Sequence, residues 1–246
     1  MLVPLEWDSA HFGFPVARAE PAELSVEELR TDLARAREDG VRLVYCLRAE
    51  ERPLPEELLR EFGGRTICIQ VQWCRVLPEQ GGAQTPGGSR IERFDESPAP
   101  EDLRRLAIEA GRYSRFRLDT RISRAAFESL YALWLENSVR GTLADHVLVA
   151  RDETGASLGL VTVAHSSTGS RGKIGLLGVD PGRRRLGVAK ALMAAAENRM
   201  REAGCAESEV VTQQENGGAC RFYDAIGYSV RRRTRADHFW LENVTP

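Results

Sequence analysis

Lysine is almost absent from this chain. Only Lys173 and Lys190 are lysines among the 34 basic residues, and the rest are arginine. A uniform excess of this kind points to coding bias rather than chemistry, so a single arginine carries weight only where its position supports it. Net charge is also lacking: 36 acidic against 34 basic residues leave a formal charge of -2, which argues against bulk binding to nucleic acid or to a membrane surface. Cys46, Cys68, Cys74, Cys205 and Cys220 are odd in number and include no CxxC pair and no Cys/His cluster. Neither a disulfide framework nor a metal site is expected, and a reducing compartment is. No apolar run is long enough to cross a bilayer, and MLVPLEWDSAHFGF lacks the basic and apolar regions of a signal peptide. The expectation is a cytoplasmic protein with no membrane or nucleic-acid partner.

What is present is a globular composition, 42% hydrophobic and 28% charged over 246 residues. The clearest break is PEQGGAQTPGGS, 78–89, a run of Gly, Pro and small polar residues of the kind found in linkers. It divides the chain into 1–88 and 89–246. In the first part Ser25 and Glu28 form a capping box ahead of an apolar face, Leu29, Leu33 and Ala36, that ends at Gly40. RLVYCLRA, 42–49, reads as a buried strand, a short helix follows near 55–62, and TICIQVQWC alternates as a half-buried strand.

The second part opens with helices near 100–112 and 123–138. Two strands joined at the turn DETG come next, then a strand at 173–179 and a helix at 187–203. AESEVVTQ is a strand, a short helix lies near 218–226, and YSVRRR and HFWLE close the chain as separate strands, with Arg231, Arg232, Arg233 and Arg235 on a solvated hairpin. The order of elements predicts an α/β fold with a central, largely antiparallel sheet.

The segment richest in chemistry is GVDPGRRRLGVAKALM, 178–193. A strand ends at Val179, Pro181 and Gly182 turn the chain, and Arg184, Gly187 and Ala189 lead straight into a helix. The first N–H groups of a helix have no internal partner, and its dipole adds positive potential. With Arg183, Arg184 and Arg185 alongside, the construction suits a diphosphate. The alternative is a surface turn capped by arginines. The spacing is neither Walker A nor GxGxxG. R-x-x-G-x-A after a strand resembles the pyrophosphate loop of the GNAT acetyltransferases, and ENGGACRFYDAIGYS, 215–229, resembles their second signature. The resemblance implies a GNAT fold, a mixed and mostly antiparallel sheet, preceded in 1–88 by a smaller degenerate GNAT-like domain.

SRFRLD, 114–119, and FESLYALWLENSVRGT, 127–142, together with LEWDSAHFGF and IGLLGV, resemble more specifically the bacterial sugar-nucleotide N-acetyltransferases that act on dTDP-4-amino-4,6-dideoxygalactose in surface-glycan biosynthesis. The likeness spans most of the chain. Two departures are visible: Phe222 stands where the family has Arg before its catalytic Tyr, and the loop is longer.

By the resemblance, acetyl-CoA is the donor, a nucleotide-linked amino sugar is the acceptor, and a homodimer is common among similar enzymes. Leu177, Gly178, Val179, Arg184, Arg185, Leu186, Gly187, Val188, Ala189, Asn216 and Phe222 are the implied donor contacts. Asn216 and Tyr223 share a face if their helix begins near 216. Tyr223 would protonate the departing thiolate, the alternative being an ordinary core aromatic. Backbone N–H groups near Leu177–Val179 would polarise the thioester carbonyl. Arg115, Arg117, Asp119, Trp134, Asn137 and Arg140 are the acceptor candidates, guanidinium being matched to phosphate. The base is open: the strand before the loop carries no carboxylate, leaving a water chain or His165. Other readings are a GNAT enzyme for another amine and a non-catalytic acyl-CoA sensor.

Overall fold

A computed structural model describes residues 1–78, 90–165 and 170–241. The chain forms β1 (Leu2–Pro4), α1 (Glu6–Phe12), β2 (Val16–Ala19), α2 (Val26–Glu38), β3 (Leu43–Ala49), α3 (Glu56–Glu61) and β4 (Gly64–Val76). After residues 79–89, where the expected linker lies outside the described residues, come β5 (Arg90–Arg93), α4 (Glu101–Ala110), α5 (Arg115–Leu118), α6 (Arg124–Val139), β6 (His146–Arg151), β7 (Ser157–His165) and β8 (Arg171–Val179). A 3-10 turn, Pro181–Arg183, precedes α7 (Val188–Glu202), β9 (Glu207–Gln213), α8 (Gly217–Ala225) and β10 (Ser229–Trp240).

Two compact units are built from these elements, one from Met1–Val71, Gln213–Glu215 and the part from Arg232 onward, the other from Gln72–Thr212 and Asn216–Arg231. The smaller unit has strand order β1-β2-β3-β10-β4, with β2 parallel to β3 and β10 antiparallel to β3. Its core forms where α2 and α3 set Leu29, Leu33 and Leu58 against Val44 and Phe239. The capping box that starts α2 is complete, Glu28 N–H donating to Ser25 Oγ at 3.2 Å and Ser25 N–H to Glu28 Oε2 at 2.8 Å. Caps of this kind contribute about 1 kcal/mol each.

Two sequence expectations are corrected in this unit. β1, α1 and β2 were not read from the N-terminal segment, because three- and four-residue strands carry too little period to register. The closing hairpin does not exist: YSVRRR and HFWLE belong to one strand, β10, paired without a break from Thr234↔Ala49 to Trp240↔Leu43. No Gly, Pro or Asn stands between the two segments to reverse the chain, and the exposed arginines mark one end of a strand.

The larger unit has strand order β4-β9-β8-β7-β6-β5. The DETG turn forms as expected, Asp152 Oδ1 accepting from the N–H of Thr154 and of Ala156, each at 3.0 Å. Register between β7 and β8 slips: Val161 pairs with Leu177 but Val163 with Ile174. Gly175 and Leu176 therefore oppose Thr162 alone, a bulge that swaps the faces of the residues beyond it. Glycines record the swap. A Cβ on Gly172 would meet Met200 of α7, whereas one on Gly178 would sit 2.3 Å from the Leu106 carbonyl of α4. Helices α7 and α4 thus cover opposite faces of β8.

Candidate active site

The parallel ladder between β8 and β9 begins at Arg171↔Glu207 and stops at Ile174↔Val210. Both strands continue, β8 to Val179 and β9 to Gln213, so they splay apart. Leu177, Gly178 and Val179 lie along the β8 side of this slot. At the bulge, Leu176 N–H turns to the neighbouring strand and donates to Thr162 Oγ1 at 2.8 Å. Unmatched backbone in such a slot must be satisfied by water or by a ligand that bonds as a strand does.

The slot leads to the loop read from sequence. Asp180 Oδ1 accepts from Gly182 N–H at 2.8 Å and starts the 3-10 turn. Arg185, φ 63°, is the only non-glycine residue at positive φ among the described residues, a conformation uncommon for a residue with a side chain. Gly187 follows at φ 84°, which a side chain would resist, and is the N-cap of α7 with no side-chain cap. The first turn, Val188 and Ala189 included, carries no acid but does carry Lys190. A cation there opposes the helix dipole, and a bound anion resolves the conflict. Arg184 donates to Glu109 of α4 at 2.6 Å, and Leu186 is exposed. The residues present therefore fit the diphosphate end of a coenzyme A thioester.

Helix α8 begins at Gly217, next to the expected start, and Asn216 is its N-cap. Its side chain folds back, accepting from Ala219 N–H at 3.2 Å and donating to Thr212 Oγ1 at 3.3 Å. Tyr223 is buried, 4% exposed, its ring 6.2 Å from Trp73, 5.4 Å from the half-buried Phe222 and 5.8 Å from Tyr228. Burial, and then Cys220, raise its phenol above the ordinary value, so it is protonated at neutral pH.

Of the acceptor candidates, Trp134 comes to the slot: its indole nitrogen lies 3.6 Å from where a Cβ on Gly175 would stand. Arg117 and Arg140 are exposed, and Arg115 stacks over Phe116 at 4.5 Å. The backbone carbonyl of Asn137 accepts from Thr142 Oγ1 at 2.8 Å, and Asp119 is buried, accepting from Arg121 N–H at 3.0 Å. His165 is the side chain left open as a base. It pairs with Gly172, beside Met200 in the last turn of α7, and its Nδ1 faces Asp145 at 3.2 Å. That is the end of α7 remote from the loop. Sequence reading missed Lys190, Glu109 and Thr162, none of which falls in a motif. Among the described residues, no group of His, Cys, Asp or Glu is placed to hold a metal ion, and no helix is long and apolar enough to cross a membrane.

The model of the acetyltransferase (GNAT) family matches residues 109–228. A mycothiol acetyltransferase of Segniliparus rotundus is 26% identical over 203 residues, covering 76% of this chain and 69% of that protein. Another, of Propionibacterium freudenreichii subsp. shermanii, is 36% identical over 86 residues, 34% of this chain and 28% of that protein. A tandem GNAT protein from the clavulanic acid biosynthesis pathway shares the fold at TM-score 0.61 and 16% identity, covering 94% of this chain and 76% of its own. Residues 109–228 are thus similar to the GNAT acetyltransferases, and the chain is an acyltransferase whose donor is acetyl-CoA.

Proposed function

We propose that this chain moves the acetyl group of acetyl-CoA to the amine of a nucleotide-linked amino sugar such as dTDP-4-amino-4,6-dideoxygalactose. The observation that carries the transfer is the slot between β8 and β9, with the uncapped start of α7 at one end and Trp134 over Gly175; Tyr223, packed on Trp73 and Tyr228, is assigned to its other face. The first N–H groups of α7 with Arg184 and Arg185 hold the donor diphosphate. The amide-bearing arm pairs along Leu177–Val179, with Asn216 and Phe222 at its side. Arg115, Arg117 and Arg140 supply cations for the acceptor's phosphates, and Trp134 packs on its sugar. These residues fall within 89–246, the part proposed as the catalytic domain beside a degenerate GNAT-like 1–88.

In the transfer, a protonated Tyr223 donates to the departing thiolate. Its raised pKa weakens it as a free acid, so proximity and a strengthening hydrogen bond must supply the advantage. A second reading, the acceptor of mycothiol acetyltransferases, is favoured by the likeness to those enzymes. Thiol release from acetyl-CoA, followed with dTDP-4-amino-4,6-dideoxygalactose, with the mycothiol acetyltransferase acceptor and with simple alkyl amines, decides between them. Turnover confined to the second would replace the nucleotide sugar, and turnover with none would sink the acetyl-transfer reading.

A further inference from the structure

Acetyl transfer needs a neutral amine, yet β8 carries no carboxylate to take the proton. We infer that Glu209 of β9 is the general base, an inference resting on the acetyl-transfer function proposed above. Its placement follows from the register of three strands. Tyr228 Oη lies 2.6 Å from Ser208 Oγ and 2.9 Å from Glu197 Oε1 of α7, and Arg75 of β4 donates to both oxygens of Glu197, at 3.2 and 3.1 Å. Ser208 and Arg75 therefore point to the α7 face. Neighbouring strand residues point to opposite faces, so Glu209 and Gln72 point away from α7. The 3.0 Å hydrogen bond from Gln72 Nε2 to Glu209 Oε2 records their meeting there.

That face is the one Trp134 covers. Gly172 faces α7, so Lys173 and Gly175 face the other way, and Gly175 is the residue beneath the indole of Trp134. Glu209 pairs with Lys173, one step before the ladder opens. One step is about 3.3 Å along a strand, so its carboxylate stands at the mouth of the slot. Tyr223 packs against Tyr228 and Trp73 on the α7 face. Acid and base thus flank the slot from opposite faces of the sheet. Near Glu209 on that face stand its register partner Lys173, Arg171, Glu207, Arg231 and the thiol of Cys74. Glu207 holds Arg231 at 2.8 and 2.9 Å and Arg171 at 3.4 Å, while Gln72 bonds Glu209.

In the reaction Glu209 takes one proton from the acceptor ammonium, directly or through one water, and releases it to solvent. The freed nitrogen pair forms the C–N bond to the thioester carbon while the carbonyl π pair moves to oxygen. On collapse the C–S bond breaks, and the sulfur leaves with its pair and takes the proton of Tyr223. The surplus proton on nitrogen returns to the phenolate, so one proton is released for each acetyl group moved.

The test compares wild type, Glu209→Gln and Tyr223→Phe on the acceptors named above and on hydroxylamine, which is already neutral near neutral pH. Glu209→Gln keeps shape and the contact with Gln72. It is expected to lower kcat with ammonium acceptors by at least about a hundredfold, to leave acetyl-CoA binding unchanged, and to spare hydroxylamine. Its residual rate should rise about tenfold per pH unit toward the pKa of the amine. An unchanged kcat and pH profile in Glu209→Gln, with an active wild type, overturns the base assignment alone. Equal losses with hydroxylamine and ammonium acceptors also overturn it. A wild type that binds acetyl-CoA but acetylates none of the amines overturns the functional reading and the base together.

Discussion

At the scale of single residues, burial decides the chemistry of two groups. Tyr223 keeps its proton because its surroundings disfavour the phenolate. Tyr223→Phe preserves the ring packing with Trp73 and Tyr228, so acetyl-CoA affinity should persist while kcat falls by about 10² or more, the usual contribution of a placed acid. Steady-state kinetics beside a calorimetric titration separates the two. Asp237 of β10 is fully buried, its Oδ1 held by Thr66 at 2.6 Å and its Oδ2 without a hydrogen bond. Burial raises its pKa from 3.8 to about 6, against the pull of Thr66, Arg235 and Arg48. A raised folded-state pKa means that its contribution is intact below the unfolded value and lost as pH climbs through about 6. Asp237→Asn should therefore match wild type at about pH 3 and exceed it by about 2–3 kcal/mol at about pH 8, by urea unfolding at both pH values. Equal differences at the two pH values would refute this account.

At the scale of elements, close approach replaces side chains. Helix α4 lies on β8 because Gly178 offers no Cβ to the Leu106 carbonyl. Gly178→Ala pushes backbone against backbone and should cost about 1–3 kcal/mol. Gly218→Ala, in the first turn of α8, meets nothing nearer than 3.9 Å and should stabilise by about 0.4–1 kcal/mol through the unfolded chain. Thermal melts of the two variants should move in opposite directions. Helices, capping box and loop were legible because their signals are local: Ser25 with Glu28, and Gly187 before an apolar helical period. The run of arginines in β10 misled because an exposed strand end and a hairpin share a composition. The difference lies in the pairing with β3, which no window of sequence contains.

At the scale of the whole molecule, chain order and spatial order part company. The last strand returns to stand between β3 and β4 in the smaller unit. A fragment of residues 1–78 would lack that middle strand and the buried Phe239 of its core. It is expected to be unfolded as a monomer, by circular dichroism and amide exchange, and to gain order when a peptide of β10 is added. A cooperative melt of the fragment alone would contradict this. Opening of the slot is likewise non-local, since it depends on how far residues 171–174 and 207–210 stay paired.

Sequence alone determined the helices, the loop before α7 and the likeness to an acetyltransferase signature, because caps, φ-demanding glycines and helical period act within a few residues. Tertiary structure decided which faces meet. The slot to which Tyr223 and Glu209 are assigned as proposed acid and base opens because parallel pairing of β8 and β9 ends after Ile174. Register, a property of two segments together, likewise set His165 opposite Gly172.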